Sequence, residues 1–150
     1  MINLEDFAGF EDSYAFGKGS GLREIEAGFA EAPAWLPEDF KYLFTQCDRW
    51  ALVGVEMFSP LPVPYSPDRR ALTLNAEFHE DYPGHDDLFA AGEMGDNDYL
   101  VLQCVEDAVM CGYFNTEDEE WFGKRFPSLT AWAYACLKAN GCLLYTSPSP

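Results

Sequence analysis

The hydrophobic pattern is strongest between Leu88 and Phe114, where LFAAGEMGDNDYLVLQCVEDAVMCGYF carries two long apolar runs. Tyr99 to Val105 (YLVLQCV) is apolar at odd and even positions alike, which predicts an inner strand covered on both faces or nearly so. The turn-forming cluster Gly95-Asp96-Asn97-Asp98 precedes it and the acidic pair Glu106-Asp107 follows it. A second run, Ala108 to Phe114, begins directly after that pair. Two apolar runs joined by two polar residues predict a β-hairpin, here the centre of the fold.

The rest of the chain arranges itself around this hairpin. Phe7, Phe10, Tyr14 and Phe16 recur at near-helical spacing, which fits a short helix or an arm packed on the core. Gly17-Lys18-Gly19-Ser20-Gly21 follows as a flexible link, without the strand or the full pattern of a phosphate-binding loop. Leu22 to Ala30 places Leu22, Ile25 and Phe29 on one helical face, and Ala32-Pro33 stops the helix. Leu36-Pro37-Glu38-Asp39 opens a second helix with proline and acids in its first turn, and Phe40, Leu43, Phe44 and Cys47 form its apolar stripe.

Trp50 to Phe58 reads as one strand with Gly54 as a bulge or close-approach point. Pro60, Pro62, Pro64 and Pro67 make Ser59 to Asp68 an exposed loop. Ala71 to Phe78 fits either a strand or a short helix, and His79 to Asp87 is polar and turn-rich. Asn115 to Glu120 is an acidic loop. The last helix opens at Pro127-Ser128-Leu129 with Ser128 as its cap, and Leu129, Trp132, Ala133, Cys136 and Leu137 form its apolar face. Helices, then strands, then a helix predict an α+β fold: a mostly antiparallel twisted sheet with N-terminal helices and a C-terminal helix packed against it. The organisation expected is an arm and link over 1–21, the α+β domain over 22–141, and a tail over 142–150. That tail resembles one reading frame of a transposase sequencing adapter, and is set outside the functional argument.

Charge adds the next constraint. Nine Lys and Arg stand against 26 Asp and Glu, a net charge of −17 spread along the chain. Nucleic acid and anionic membranes repel such a protein, and a basic partner is steered to it. The competing view is that the acidity only keeps an aromatic-rich chain soluble. No apolar run reaches the ~18 residues of a membrane span, and the N-terminus lacks the basic start of a signal peptide. Five cysteines form no Cys-x-x-Cys pair, and Cys104, Cys111 and Cys136 lie in apolar runs. Reduced, buried thiols in a cytoplasm are therefore expected.

Candidate chemistry is sparse. His79 and His85, among Glu80, Asp81, Asp86 and Asp87, are the only residues for a metal or His-carboxylate site, and their spacing matches no metalloenzyme signature. Asp96-Asn97-Asp98 lacks the glycine and closing glutamate of a calcium loop and fits an Asx turn. Neither a nucleophile motif nor a phosphate-holding set is present. No catalytic residue, metal ligand or cofactor is assigned.

The order of the pieces is nonetheless distinctive. A helix with Ile25-Glu26 leads to Leu36-Pro37-Glu38-Asp39-Phe40-Lys41-Tyr42-Leu43 and a strand. Gly95-Asp96 then precedes Tyr99-Leu100-Val101-Leu102, and a hairpin, an acidic loop and Phe126-Pro127-Ser128-Leu129 follow. Over roughly residues 22–140 this resembles the SUKH superfamily, the domain of the fungal Smi/Knr cell-wall regulators and of many bacterial immunity proteins. The resemblance implies a non-enzymatic binder that neutralises a toxin, many of them nucleases, by masking its basic active site. The candidate contacts are Glu93, Asp96, Asp98, Glu106, Asp107, Glu117, Asp118, Glu119 and Glu120, with Tyr113 and Trp121 as anchors. The alternatives are a regulatory scaffold of the same fold and, more weakly supported, a metal-dependent hydrolase using His79 and His85.

Overall fold

A computed structural model describes residues 1–9, 13–64 and 68–145, with side chains described as far as Ala139. After a 3-10 turn at Leu4–Phe7 come β1 (Ser13–Phe16), α1 (Leu22–Gly28), α2 (Glu38–Gln46), β2 (Arg49–Leu52), β3 (Val55–Phe58) and α3 (Ala71–Asp81). The chain continues through β4 (Leu88–Met94), β5 (Tyr99–Val105), β6 (Ala108–Asn115), β7 (Glu120–Phe126) and α4 (Leu129–Tyr145). The seven strands of the described residues form one antiparallel sheet in sequence order, so the α+β expectation holds.

The central hairpin is as expected. Residues Tyr99 to Leu102 are buried at both parities, and Glu106 and Asp107 both take left-handed φ (50° and 67°) in a two-residue turn. Pleating sends Leu100, Leu102, Phe89, Ala91 and Cys111 into a core shared with α1, α2 and α4. The opposite face sends Tyr99, Val101, Leu88, Ala90, Phe58 and Phe114 against Leu74 and Phe78 of α3. Phe78 meets Tyr99, Phe114 and Tyr82 at ring-centroid distances of 5.0, 5.1 and 5.7 Å.

Several segments differ from the sequence expectation. Trp50 to Phe58 lies in two strands rather than one, because Val53 and Gly54 (φ 48° and 82°) form a tight hairpin turn instead of a bulge. The ambiguous segment from Ala71 is helical. The proline-rich loop is not exposed throughout: Ser59 is buried, donating to the Asp48 carbonyl (2.9 Å) and accepting from the Ala71 amide (3.1 Å). Residues 121–126 add an edge strand, and part of the N-terminal arm adds the other as β1. Phe10 lies outside the described residues. Ile2 and Phe7 are buried, and the Gln46 amide clamps the arm through the Ile2 carbonyl and Leu4 amide (2.8 and 3.0 Å). Residues 142–145 continue α4, and 146–150 lie outside the described residues.

The N-terminus of α4 is satisfied from within. Ser128 Oγ accepts from the Ala131 amide (2.9 Å), as expected of its cap. Asp39 Oδ2 in the first turn of α2 accepts from the Thr130 amide and hydroxyl (3.0 and 2.8 Å), tying α2 to α4.

β3 and β4 pair only through Val55 with Met94 and Glu56 with Glu93. Farther along β4 the missing ladder is replaced by α3 side chains: the Ala90 amide donates to Asn75 Oδ1 and the Leu88 carbonyl accepts from His79 Nε2, each at 2.9 Å. Asn75 and His79 are four residues apart and share one helix stripe, as the two strand groups share one edge.

The glycine-rich link is packed rather than free. The Gly19 amide donates to Asp48 Oδ1 (3.1 Å), and Gly19 has φ +79° with the Thr45 carbonyl oxygen only 2.3 Å from where a Cβ would stand. Gly19→Ala is expected to lower the unfolding free energy by about 2–4 kcal/mol in urea titration, combining left-handed strain with overpacking. A change below ~0.5 kcal/mol would show the link to be a loose tether.

Candidate functional site: the acidic end of the sheet

One end of the sheet gathers the β4–β5 turn, the β6–β7 turn and the C-terminal end of α3. Between them lies a cleft of about 420 Å3 whose wall includes Glu77, Asp81, Tyr82, Glu93, Asp96, Asp98 and Tyr99. Glu93 reaches it because the β4–β5 register shifts by one residue between Ala90 and Gly92. That bulge reverses the inside-outside alternation of β4, so Glu93 stands opposite Tyr99 on the α3 face. Glu77 and Asp81, one helical turn apart on α3, face it from the other side.

Arg69 is the one cation among the described residues of the wall. Its guanidinium is gripped by both oxygens of Glu93 and by both oxygens of Glu77, the latter at 3.1 and 3.3 Å. Hydrogen bonding to Glu93 pushes its pKa up from an already high value. Asp98 braces the end: its Oδ1 accepts from the Thr116 amide and hydroxyl (2.9 and 3.1 Å), and its own amide donates to Asp96 Oδ1 (3.2 Å). The second contact is the expected Asx turn. Asn115 Oδ1 accepts from the amides of Glu117 and Asp118 (2.8 and 3.1 Å), holding the neighbouring acidic turn.

The candidate contacts therefore divide. Glu93, Asp96, Asp98, Glu117, Asp118, Glu119 and Glu120 belong to this end. Glu106 and Asp107 sit at the opposite tip of the seven-residue strand β5, about 20 Å away. Tyr113 and Trp121 lie on opposite faces, since Trp121 pairs with Phe114 and Tyr113 with Phe122. Tyr113 is turned inward: its hydroxyl accepts from Trp132 Nε1 (2.9 Å) and its ring stacks on Phe122. Trp121 is half-buried under the Arg125 guanidinium, 4.4 Å from the ring centroid. Glu77, Tyr82 and Tyr99 belong to the site without having been singled out in the sequence as contacts, and Asp81, named there only beside the histidines, joins them. The i, i+4 spacing of Glu77 and Asp81 was the available signal once their segment is helical.

The histidines do not converge. His79 is bonded to the Leu88 carbonyl, whereas His85 Nε2 is 3.2 Å from Glu119 Oε1 and packs on Phe114. Among the described residues no group of three His, Cys, Asp or Glu is placed to hold a metal ion. The described cysteines are free thiols, and burial pushes Cys47 up to about 12 and Cys111 and Cys136 above their ordinary range. No helix of the described residues is long and apolar enough to cross a membrane. No family model, curated protein or solved structure matches this chain.

Two outcomes follow from these placements. His79→Ala is expected to cost about 1–3 kcal/mol by leaving the Leu88 carbonyl unpaired, and chelator should not move the wild-type unfolding midpoint. A midpoint that falls with chelator would restore a metal role. Burial also pushes Tyr113 up to about 12 from 10.0, as it does Cys47 to about 12 from 9.0. Raised values favour the neutral forms in the fold, so this stability is complete below pH 9 and is lost as pH climbs towards 12. Unfolding free energy should fall across that window, and Tyr113→Phe should shallow the slope; an unchanged slope would contradict the assignment.

Proposed function

We propose that this chain is a non-catalytic protein-binding domain that lays the acidic end of its sheet against a basic protein. Its specific form is a SUKH-type immunity protein, acting in the cytoplasm and masking the basic groove of a toxin domain such as a nuclease. The observation that carries this reading is the convergence of Glu77, Asp81, Glu93, Asp96 and Asp98 around a cleft whose single guanidinium is already engaged. Glu117 to Glu120 extend the same negative surface from the adjacent turn. A nuclease groove is built to hold phosphate, so a rigid array of carboxylates is complementary to it and speeds encounter at low salt.

Further support comes from the order of elements. The segments quoted for the resemblance occupy α1, the start of α2, β5 after its Gly95-Asp96 turn, the β5–β6 hairpin and the start of α4. The free thiols suit a reducing compartment.

The test is binding to a panel of basic nuclease-toxin domains. Affinity should drop at least tenfold between 50 and 300 mM salt, values chosen to span a Debye length of roughly 14 to 6 Å. Neutralising the β6–β7 turn with Glu117→Gln, Asp118→Asn, Glu119→Gln and Glu120→Gln should weaken it about tenfold or more. Glu106→Gln with Asp107→Asn, at the far tip, should change it less than twofold. Salt-independent binding, or equal losses at the two ends, would defeat the proposal.

A further inference from the structure

β7 closes one side of the sheet, and among the described residues no strand pairs with its outer edge. Residues Phe122 to Arg125 are exposed, with Phe122 at 37% the large apolar one. An unpaired edge is a template for another strand, and lysine on such an edge ordinarily discourages pairing. Here the cations have a counterpart on the same edge. Glu119-Glu120 precedes Phe122 and Lys124-Arg125 follows it, at equal spacing on either side. Within one copy these ends do not meet. Lys124 and Arg125 lie over the Phe126 and Trp121 rings, 5.4 and 4.4 Å from the centroids, and neither has an ion-pair partner among the described residues. Glu120 has none there either, and Glu119 has His85 alone.

An antiparallel pair of identical strands is symmetric about one residue. With Phe122 on the two-fold axis, Glu120 comes opposite Lys124 of the second copy and Glu119 opposite Arg125 of the second copy, and each contact occurs twice. Side chains directly opposite stand about 4.5–5.5 Å apart at Cβ, within reach of an ion pair. Strand alternation keeps Glu120, Phe122 and Lys124 on one face, so the Phe122 pair is flanked by opposite charges. Trp121 comes opposite Gly123 of the second copy, where a Cβ would find its nearest atom, Tyr113 Cδ2, 3.9 Å away. The indole therefore meets open space, the pairing by which an aromatic covers an edge glycine. Lys124 and Arg125 stand in the gap of the β6–β7 ladder between the Phe122 and Phe126 pairs, so no β6 partner fixes them. Parallel pairing of the same strands lays like charge on like and is disfavoured. At the other edge, β1 (Ser13–Phe16) is uncharged, and nothing comparable sets a register there.

We infer that β7 is a self-recognition edge: two copies of this chain join their sheets antiparallel through it, Phe122 against Phe122, with Glu119-Glu120 of each copy against Lys124-Arg125 of the other. The contact is short, so association is weak and reversible, with a Kd of roughly 10–100 μM, as suits an interface below the ~1,200 Å2 of a standard one. This inference needs no foreign partner and does not rest on the binding function proposed above. Glu119 and Glu120 take part in both, so a bound basic partner displaces the second copy.

The experiment is sedimentation velocity on the full chain from about 5 μM to about 1 mM in ~150 mM salt, where the charge of −17 on each copy is screened beyond about 8 Å. The wild type should pass from monomer to dimer across that range. Lys124→Glu with Arg125→Glu, and separately Glu119→Lys with Glu120→Lys, should each weaken self-association at least tenfold. An equimolar mixture of the two variants should form a heterodimer again, within about threefold of the wild-type Kd, because the reversed ends match. Where a reversal lowers the unfolding midpoint, Lys124→Gln with Arg125→Gln takes its place and should weaken the dimer at least fivefold. A wild type monomeric throughout, a dimer indifferent to these substitutions, or two folded variants that fail to associate when mixed would each overturn the assignment.

Discussion

The backbone of β4 imposes the constraint on which the rest depends. β3 pairs with only its far end, and the carbonyl of Leu88 and amide of Ala90 are left in a region too dry to rely on water. Leaving two such groups unpaired would cost on the order of 2–6 kcal/mol, a large part of the net stability of a domain this size. Asn75 and His79 answer both groups, and in doing so they fix the rotation of α3 about its axis. Once that stripe faces the gap, Leu74 and Phe78 must lie on the sheet, and Glu77 and Asp81 must flank the end where the turns gather. The position of the acidic cleft is thus a consequence of hydrogen-bond accounting one turn away.

The same reasoning explains why a bulge is tolerated in a buried strand. The extra residue near Ala91 interrupts the β4–β5 ladder, a cost that only a compensating gain makes acceptable. Its effect is to bring Glu93 onto the face where Arg69 waits. Without the shift, Glu93 would point into the core shared with α1, α2 and α4, where an unpaired carboxylate costs far more than a bulge. Exposed ion pairs contribute ~0–1 kcal/mol, so the Arg69 cluster does not hold the fold together. It organises charge on a surface that packing has already fixed.

What the sequence revealed follows what each segment buries. The β5–β6 hairpin, α2 and α4 were legible because their apolar stripes are long and go fully into the core. Both edge strands were missed, for one reason. β1 exposes three of its four residues and β7 is exposed at most positions on both faces, so neither carries the alternation by which a half-buried strand is read. Val53 hid the β2–β3 turn, since a β-branched residue is rarely found at left-handed φ. The acids of the site were visible as residues, but not their division between two ends of the sheet. That division depends on the bulge at Ala91 and on the helical state of the segment from Ala71, and neither leaves a local pattern.

Charge placement bears on the two accounts of the acidity. A solubilising charge works best when dispersed, because crowded carboxylates repel one another and strain the fold that carries them. Here several carboxylates are brought together by a bulge and a helix rotation, around a guanidinium that two of them already engage. Among the described residues one cation, Arg69, relieves the crowding from within. Such an arrangement raises the free energy of the isolated domain and lowers that of any complex supplying the missing positive charge. Part of the binding energy of a basic partner would then come from repulsion already built into the free protein, and would be greatest for a partner that fills the cleft rather than merely approaching it.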